Sequence, residues 1–155
     1  MRGAIDFKGR YDHTLDAKNR VMVPQAFRDA VRRREKSATL YLTRGFDKCL
    51  ALYAQSGWDR MVELLNSRKA GEMAERRTRK FFRLFYSSTV EVTPDKAGRI
   101  LIPEHLRQLA GLKKKVVLIG VNDRVEIWDA QRWSRFTAGE EGEYEESARK
   151  AFSTS

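Results

Sequence analysis

Two nine-residue strings hold the side chains best placed to do chemistry: "DAKNRVMVP", Asp16 to Pro24, and "DKAGRILIP", Asp95 to Pro103. Each reads Asp, three residues, Arg, an apolar triplet, Pro, and each is followed by a further arginine in register, Arg28 and Arg107. An Asp placed before an Arg across a tight turn can brace the guanidinium with its carboxylate, or satisfy the turn amides. A guanidinium held in this way presents a planar fork of donors that fits guanine O6 and N7, or a phosphate. One such contact contributes about 1–3 kcal/mol of base discrimination. That is modest for choosing a genomic site, so repetition within the chain and multiplication by self-association matter. The purely structural alternative has equal standing from physics alone: the pair pins the turn and touches nothing else. Asp-x-x-x-Arg by itself is a weak pattern, since Asp6 with Arg10 and Asp29 with Arg33 also satisfy it. The weight lies in the whole string occurring twice in register.

Other chemistries find little support. His13 falls in an expected strand and His105 in the first turn of an expected helix, and neither has a Cys or His at metal-ligand spacing. Both read as structural or surface residues, with no metal. Cys49 is the single cysteine, so an intramolecular disulfide is impossible; a small core residue in a reducing compartment is the reading. "GLKKK" lacks the spacing and the Ser/Thr of a phosphate loop, and there is no G-x-S-x-G. No spacing singles out a carboxylate pair. No enzyme activity and no cofactor are expected.

Charge points to a polyanionic partner. Lys and Arg number 31 against 21 acids, a net charge of +10. The basic groups cluster at Arg32 to Arg34, along "ERRTRK" and at Lys113 to Lys115, while the acids collect in Glu140 to Glu146. Such a body attracts nucleic acid first and an anionic membrane surface second. Lys18, Lys96 and Arg10 flank the turns and suit phosphates, while Arg28 and Arg107 suit either support of the hairpins or backbone contact. No apolar run approaches the roughly 18 residues of a membrane span, and the opening lacks an apolar leader region. A cytoplasmic, nucleoid-associated protein is expected.

The elements that must position these residues also come in duplicate. "LYLTRGFDKCLALYAQSGWDRM" matches "VVLIGVNDRVEIWDAQRWSRF", pairing Gly45 with Gly120, Tyr53 with Trp128 and Trp58 with Trp133. Order kept over this length means two homologous halves. In each half an extended stretch leads into a polar turn, where Asn19 and Gly98 tolerate positive φ. A short β-run follows, then a Pro-started helix, then two strands joined by a turn. Gly111 is expected to stop the second of these helices. A helix with Ser56 as N-cap and Trp58, Met61, Val62 and Leu65 on its apolar side follows the first half. "NSRKAG" reads as a loop, and "EMAERRTRKFFRLFYSS" as a helix with Met73, Phe81, Phe82 and Phe85 inward. A shorter helix forms around Trp133 and Phe136. This divides the chain into a first module at 8–55, a helical connector at 56–86, a second module at 87–131, and a C-terminal helix with an acidic, mobile tail at 132–155.

The doubled string, the opening "RGAIDFKGRYDHTLDAKNRVMVP", the linker "AERRTRKFFRLFYSS" and "VVLIGVNDRVEIWD" together resemble the MraZ family over nearly the whole chain. These are bacterial transcriptional regulators built from two AbrB/SpoVT-like modules. The resemblance implies an α+β, β-rich fold, with two tandem modules forming a pseudo-symmetric swapped-hairpin (double-split) β-barrel flanked by short helices. It implies rings of eight or more subunits that bind short, G-containing direct repeats of double-stranded DNA. These lie in the protein's own promoter, ahead of the division and cell wall gene cluster, which such rings usually repress. It assigns DNA contact to Arg20 and Arg99, with Asp16 and Asp95 as their orienting partners. Asn19 departs from the family, which often has Gly there. Two other classes stay open: a nonspecific nucleoid or RNA-binding protein, and an AbrB-like antitoxin.

Overall fold

The computed structural model describes residues 4–67, 73–139 and 141–153. Strand β1, Arg10–Thr14, leads through a tight turn to β2, Arg20–Met22. Helix α1, Gln25–Arg34, starts directly after Pro24, whose φ of −50° suits a helix entry. Strands β3, Leu40–Arg44, and β4, Leu50–Ala54, then form a hairpin. Helices α2, Gln55–Ser67, and α3, Arg76–Ser88, connect to the second half. That half repeats the order with β5, Val90–Val92, β6, Arg99–Leu101, and α4, Glu104–Ala110, followed by β7, Lys115–Gly120, and β8, Val125–Asp129. Helix α4 starts after Pro103 and stops at Gly111, which sits in the left-handed region at φ 58°. Helices α5, Ala130–Thr137, and α6, Glu141–Ala151, close the chain.

The strands form one six-stranded antiparallel sheet, in the order β1-β7-β8-β4-β3-β5, and a separate two-stranded ribbon, β2-β6. Exchanging the two halves leaves both orders unchanged. The registers obey the same two-fold relation: Ala51 faces Glu126 at the centre of β4-β8, and Val21 faces Ile100 at the centre of β2-β6. The halves also exchange strands, since β1 of the first pairs with β7 of the second and β5 of the second pairs with β3 of the first. The α+β class, the tandem modules and the exchanged hairpins match the expectation. A continuous hydrogen-bonded barrel wall does not form among the described residues, because β2 and β6 pair only with each other.

The principal core lies between the sheet and the ribbon. Val21 and Val23 from the first half and Ile100 and Ile102 from the second are all at most 2 % exposed, packed with Phe27, Leu106, Leu42, Leu50, Leu118 and Ile127. The central strands β4 and β8 are buried along their whole length. A second, aromatic cluster covers their other face: Trp58 stacks between Tyr41 at 5.0 Å and Phe85 at 5.8 Å. The aromatic side of α3 therefore packs through Phe85, with Phe81, 37 % exposed, stacked on its ring at 5.4 Å. Cys49 is buried as expected, and burial pushes its thiol up to about 12.

Three local expectations differ from the structure. Ser56 lies inside α2, and the cap comes from Glu35 instead, whose carboxylate accepts from the Ser56 amide at 3.1 Å and from its hydroxyl. In the second half Asp129 does this directly, accepting from the Arg132 amide at 3.2 Å. "NSRKAG" was expected as a loop; Asn66 and Ser67 end α2, and 68–71 lie outside the described residues. The acidic stretch read as a mobile tail forms helix α6, in which Tyr144 is exposed; Glu140 lies outside the described residues. Among the described residues no helix is long and apolar enough to cross a membrane.

Candidate nucleic-acid interface

The strings beginning at Asp16 and Asp95 fold into the same closed turn. The amides of Lys18 and Arg20 both donate to Asp16 Oδ1 at 2.9 Å, and the Arg20 Nε–H donates to Asp16 Oδ2 at 2.9 Å. In the second turn Ala97 and Arg99 donate to Asp95 Oδ1 at 2.9 and 3.0 Å, and Arg99 Nε donates to Asp95 Oδ2 at 3.2 Å. The chain closes these turns only where a residue takes positive φ, Asn19 at 62° and Gly98 at 88°. The Arg20 amide, helped by the Lys18 amide and the Arg20 guanidinium, holds the Asp16 carboxyl below the ordinary carboxylate range. The Arg99 amide does the same for Asp95.

The ribbon brings the two turns to one place. Arg20 Nη1 lies 3.8 Å from Asp95 Oδ2, and Arg99 Nη1 lies 3.6 Å from Asp16 Oδ2. Oδ2 of each carboxylate thus faces one guanidinium from its own turn and one from the other, while Oδ1 accepts the turn amides. Among the described residues neither arginine uses Nη2 in a hydrogen bond. Lys18 and Lys96 are exposed residues of the same two turns. Alternation along the ribbon sends Val21 and Ile100 into the core and turns Arg20, Met22, Arg99 and Leu101 outward. Leu101 is 54 % exposed. The apolar triplets looked uniform in sequence; period-two alternation about Val21 and Ile100 was the signal that set Met22 and Leu101 apart.

Other expected site residues lie elsewhere. Arg10 is at the far end of β1, about 20 Å of extended chain from Asp16, and pairs with Asp12 at 3.2 Å. It is not part of the cluster. His105 Nε2 meets the Ser88 carbonyl oxygen at 3.1 Å, tying α4 to the end of α3. Arg28 and Arg107 stand behind the turns: Arg28 Nε donates to the Val23 carbonyl at 2.8 Å, and Arg107 Nη1 donates to that of Ile102. Among the described residues no group of three or more His, Cys, Asp or Glu is placed to hold a metal ion.

Comparison with known proteins places this architecture. The family model described as "MraZ protein, putative antitoxin-like" matches twice, over residues 7–81 and 85–154, which are the two halves related by the two-fold. The chain is 40 % identical over 144 residues to the transcriptional regulator MraZ of Carboxydothermus hydrogenoformans, spanning 93 % of this chain and 95 % of that protein. With both repeats matched and one Asp-x-x-x-Arg turn in each, the chain belongs to the MraZ family.

Proposed function

We propose that the protein is a sequence-specific DNA-binding transcriptional regulator that reads guanines with Arg20 and Arg99. One observation carries this reading: two arginines from two turns are held at a single outward-facing spot, oriented through Nε, with donors left over. The Nε–H bond to the carboxylate Oδ2 of its own turn fixes the direction of each guanidinium. A preordered guanidinium loses less entropy on binding a base edge than a free one. Lys18 and Lys96 add phosphate contacts beside it, and the net charge of +10 draws the protein to DNA. The relative from Carboxydothermus hydrogenoformans bears the name transcriptional regulator. In the finer form of the proposal the protein acts in the cytoplasm on the nucleoid. There, as a ring of identical chains, it represses the division and cell wall gene cluster through short direct repeats in its own promoter. Repetition of a small contact around such a ring makes up for the modest discrimination of each turn.

The test is binding to DNA from upstream of its own gene, with unrelated DNA as competitor. Arg20→Ala and Arg99→Ala are each expected to cost about 1–3 kcal/mol and to relax sequence preference. Lys18→Ala and Lys96→Ala are expected to weaken binding evenly across sequences and to lower the salt slope by about 1 each. Unchanged affinity and selectivity in both arginine variants would sink the turn-arginine reading. Equal competition by unrelated DNA would make the protein a nonspecific binder.

A further inference from the structure

We infer that Arg28 and Arg107 are positioning residues that act across the module boundary: Arg28 of the first half sets the turn carrying Arg99, and Arg107 of the second sets the turn carrying Arg20. The consequence for DNA rests on the function proposed above; the positioning itself does not.

The connection runs through one residue on each side, Val23 and Ile102. Arg28 Nε donates to the Val23 carbonyl at 2.8 Å, and the Val23 amide donates to the carbonyl of Gly98, inside the second turn, at 2.8 Å. The Arg28 guanidinium itself lies on Gly98. A Cβ at that position would stand 2.5 Å from Arg28 Cζ and 2.6 Å from its Nε. Arg28 also lines a surface depression with Pro94, Asp95 and Lys96, the entry to that turn. The mirror path is present: Arg107 Nη1 donates to the Ile102 carbonyl, and the Ile102 amide donates to the Asn19 carbonyl at 3.0 Å. Arg107 lines a depression with Asp16, Ala17 and Asn19.

Neither arginine makes an ion pair among the described residues. Both spend charged donors on a main-chain carbonyl, and both lie half-buried. A guanidinium in that role fixes the peptide on the C-terminal side of Val23 or Ile102, and the N–H of the same residue holds the opposite turn. The two sides are not equivalent. Gly98 leaves room for Arg28 to lie over the backbone and donate through Nε, whereas Asn19 carries a Cβ and Arg107 reaches its carbonyl through Nη1. The turn bearing Arg99 therefore depends more on its arginine than the turn bearing Arg20.

The full-length chain is compared with Arg28→Lys and Arg107→Lys, which keep charge and stem but lose the planar fork. Without DNA, the Nε–Hε resonances of Arg20 and Arg99 are followed by NMR. Arg28→Lys is expected to shift that of Arg99 and speed its hydrogen exchange, leaving Arg20 near its original position; Arg107→Lys is expected to do the reverse, with a smaller effect. An Arg28→Lys chain that moves Arg20 as much as Arg99, or neither, overturns the inference. On promoter DNA, Arg28→Lys is expected to weaken specific binding about threefold to tenfold. The loss should be absorbed when combined with Arg99→Ala and multiply when combined with Arg20→Ala. If the resonances move as stated but Arg20→Ala and Arg99→Ala leave DNA binding intact, the positioning stands and the DNA reading falls. Arg28→Met serves as a second variant, and a cooperative thermal transition in each chain verifies that the fold is kept.

Discussion

At the scale of the residue, four strings in this chain fit Asp-x-x-x-Arg, and only two form the pair. Arg10 takes Asp12 rather than Asp6, and Asp29 takes Arg32 at 3.2 Å rather than Arg33. Neither spacing nor positive φ at the fourth position makes the contact, since Gly9 also has φ 97°; the turn closed by Asp16 N–H to Arg20 O and Asn19 N–H to Asp16 O, and its copy at Asp95, does. The paired carboxylates are held below their ordinary value of 3.8. A depressed carboxyl contributes stability that is complete above the unfolded value and lost as pH falls through the folded one. Asp16→Asn and Asp95→Asn are therefore expected to melt below the parent at pH 7, with the difference narrowing once pH falls below about 4. Thermal unfolding followed by circular dichroism across that range checks this. A difference that stays constant down to pH 3 would show that the carboxylates act through shape and not through charge.

At the scale of the element, each turn works because one residue tolerates the left-handed region, and the two turns use different residues for it. Gly98 meets two demands, a φ of 88° and the seat of Arg28, while Asn19 meets only the first. Gly98→Ala is expected to cost about 1–3 kcal/mol of stability, because strain and contact combine. Asn19→Ala is expected to cost about 1 kcal/mol from φ alone, and Asn19→Gly to stay within about 1 kcal/mol of the parent. Denaturant unfolding of the three variants checks the order; Gly98→Ala as mild as Asn19→Gly would contradict the close seat of Arg28. Helix entry shows the same habit of two solutions for one need. Asp129 caps α5 from the preceding residue, whereas α2 follows Ala54 and borrows Glu35 from the end of α1.

At the scale of the whole molecule, the halves are two copies of one plan that cannot be separated. Without the second half, β1 loses β7, β4 loses β8 and β2 loses β6, leaving only the β3-β4 hairpin, which is marginal in water by itself. The core would open as well, since Val21 and Ile100 fill it from opposite halves. A chain of residues 1–88 is expected to show no cooperative unfolding as a monomer, by circular dichroism with size-exclusion chromatography. A folded monomer of that half would refute the exchange of strands. The same two-fold places Arg20 beside Arg99, so the candidate interface exists only in the complete pair.

The duplication, the element order as far as Thr137, the turn chemistry at Asn19 and Gly98, the helix entries at Pro24 and Pro103, and the family are legible in the chain alone. These are local matters of φ, hydrogen-bonding side chains and hydrophobic period, and a repeat shows them twice. The capping of α2 was misjudged because Glu35 lies 21 positions away, beyond any local pattern. Only the tertiary structure decided that β1 and β5 cross to the opposite half, that Arg10 stands away from the turns, and that the two Asp–Arg pairs share one cluster. Pairing partners far apart in the chain are chosen by burial of the common core, and no spacing within one string contains that choice.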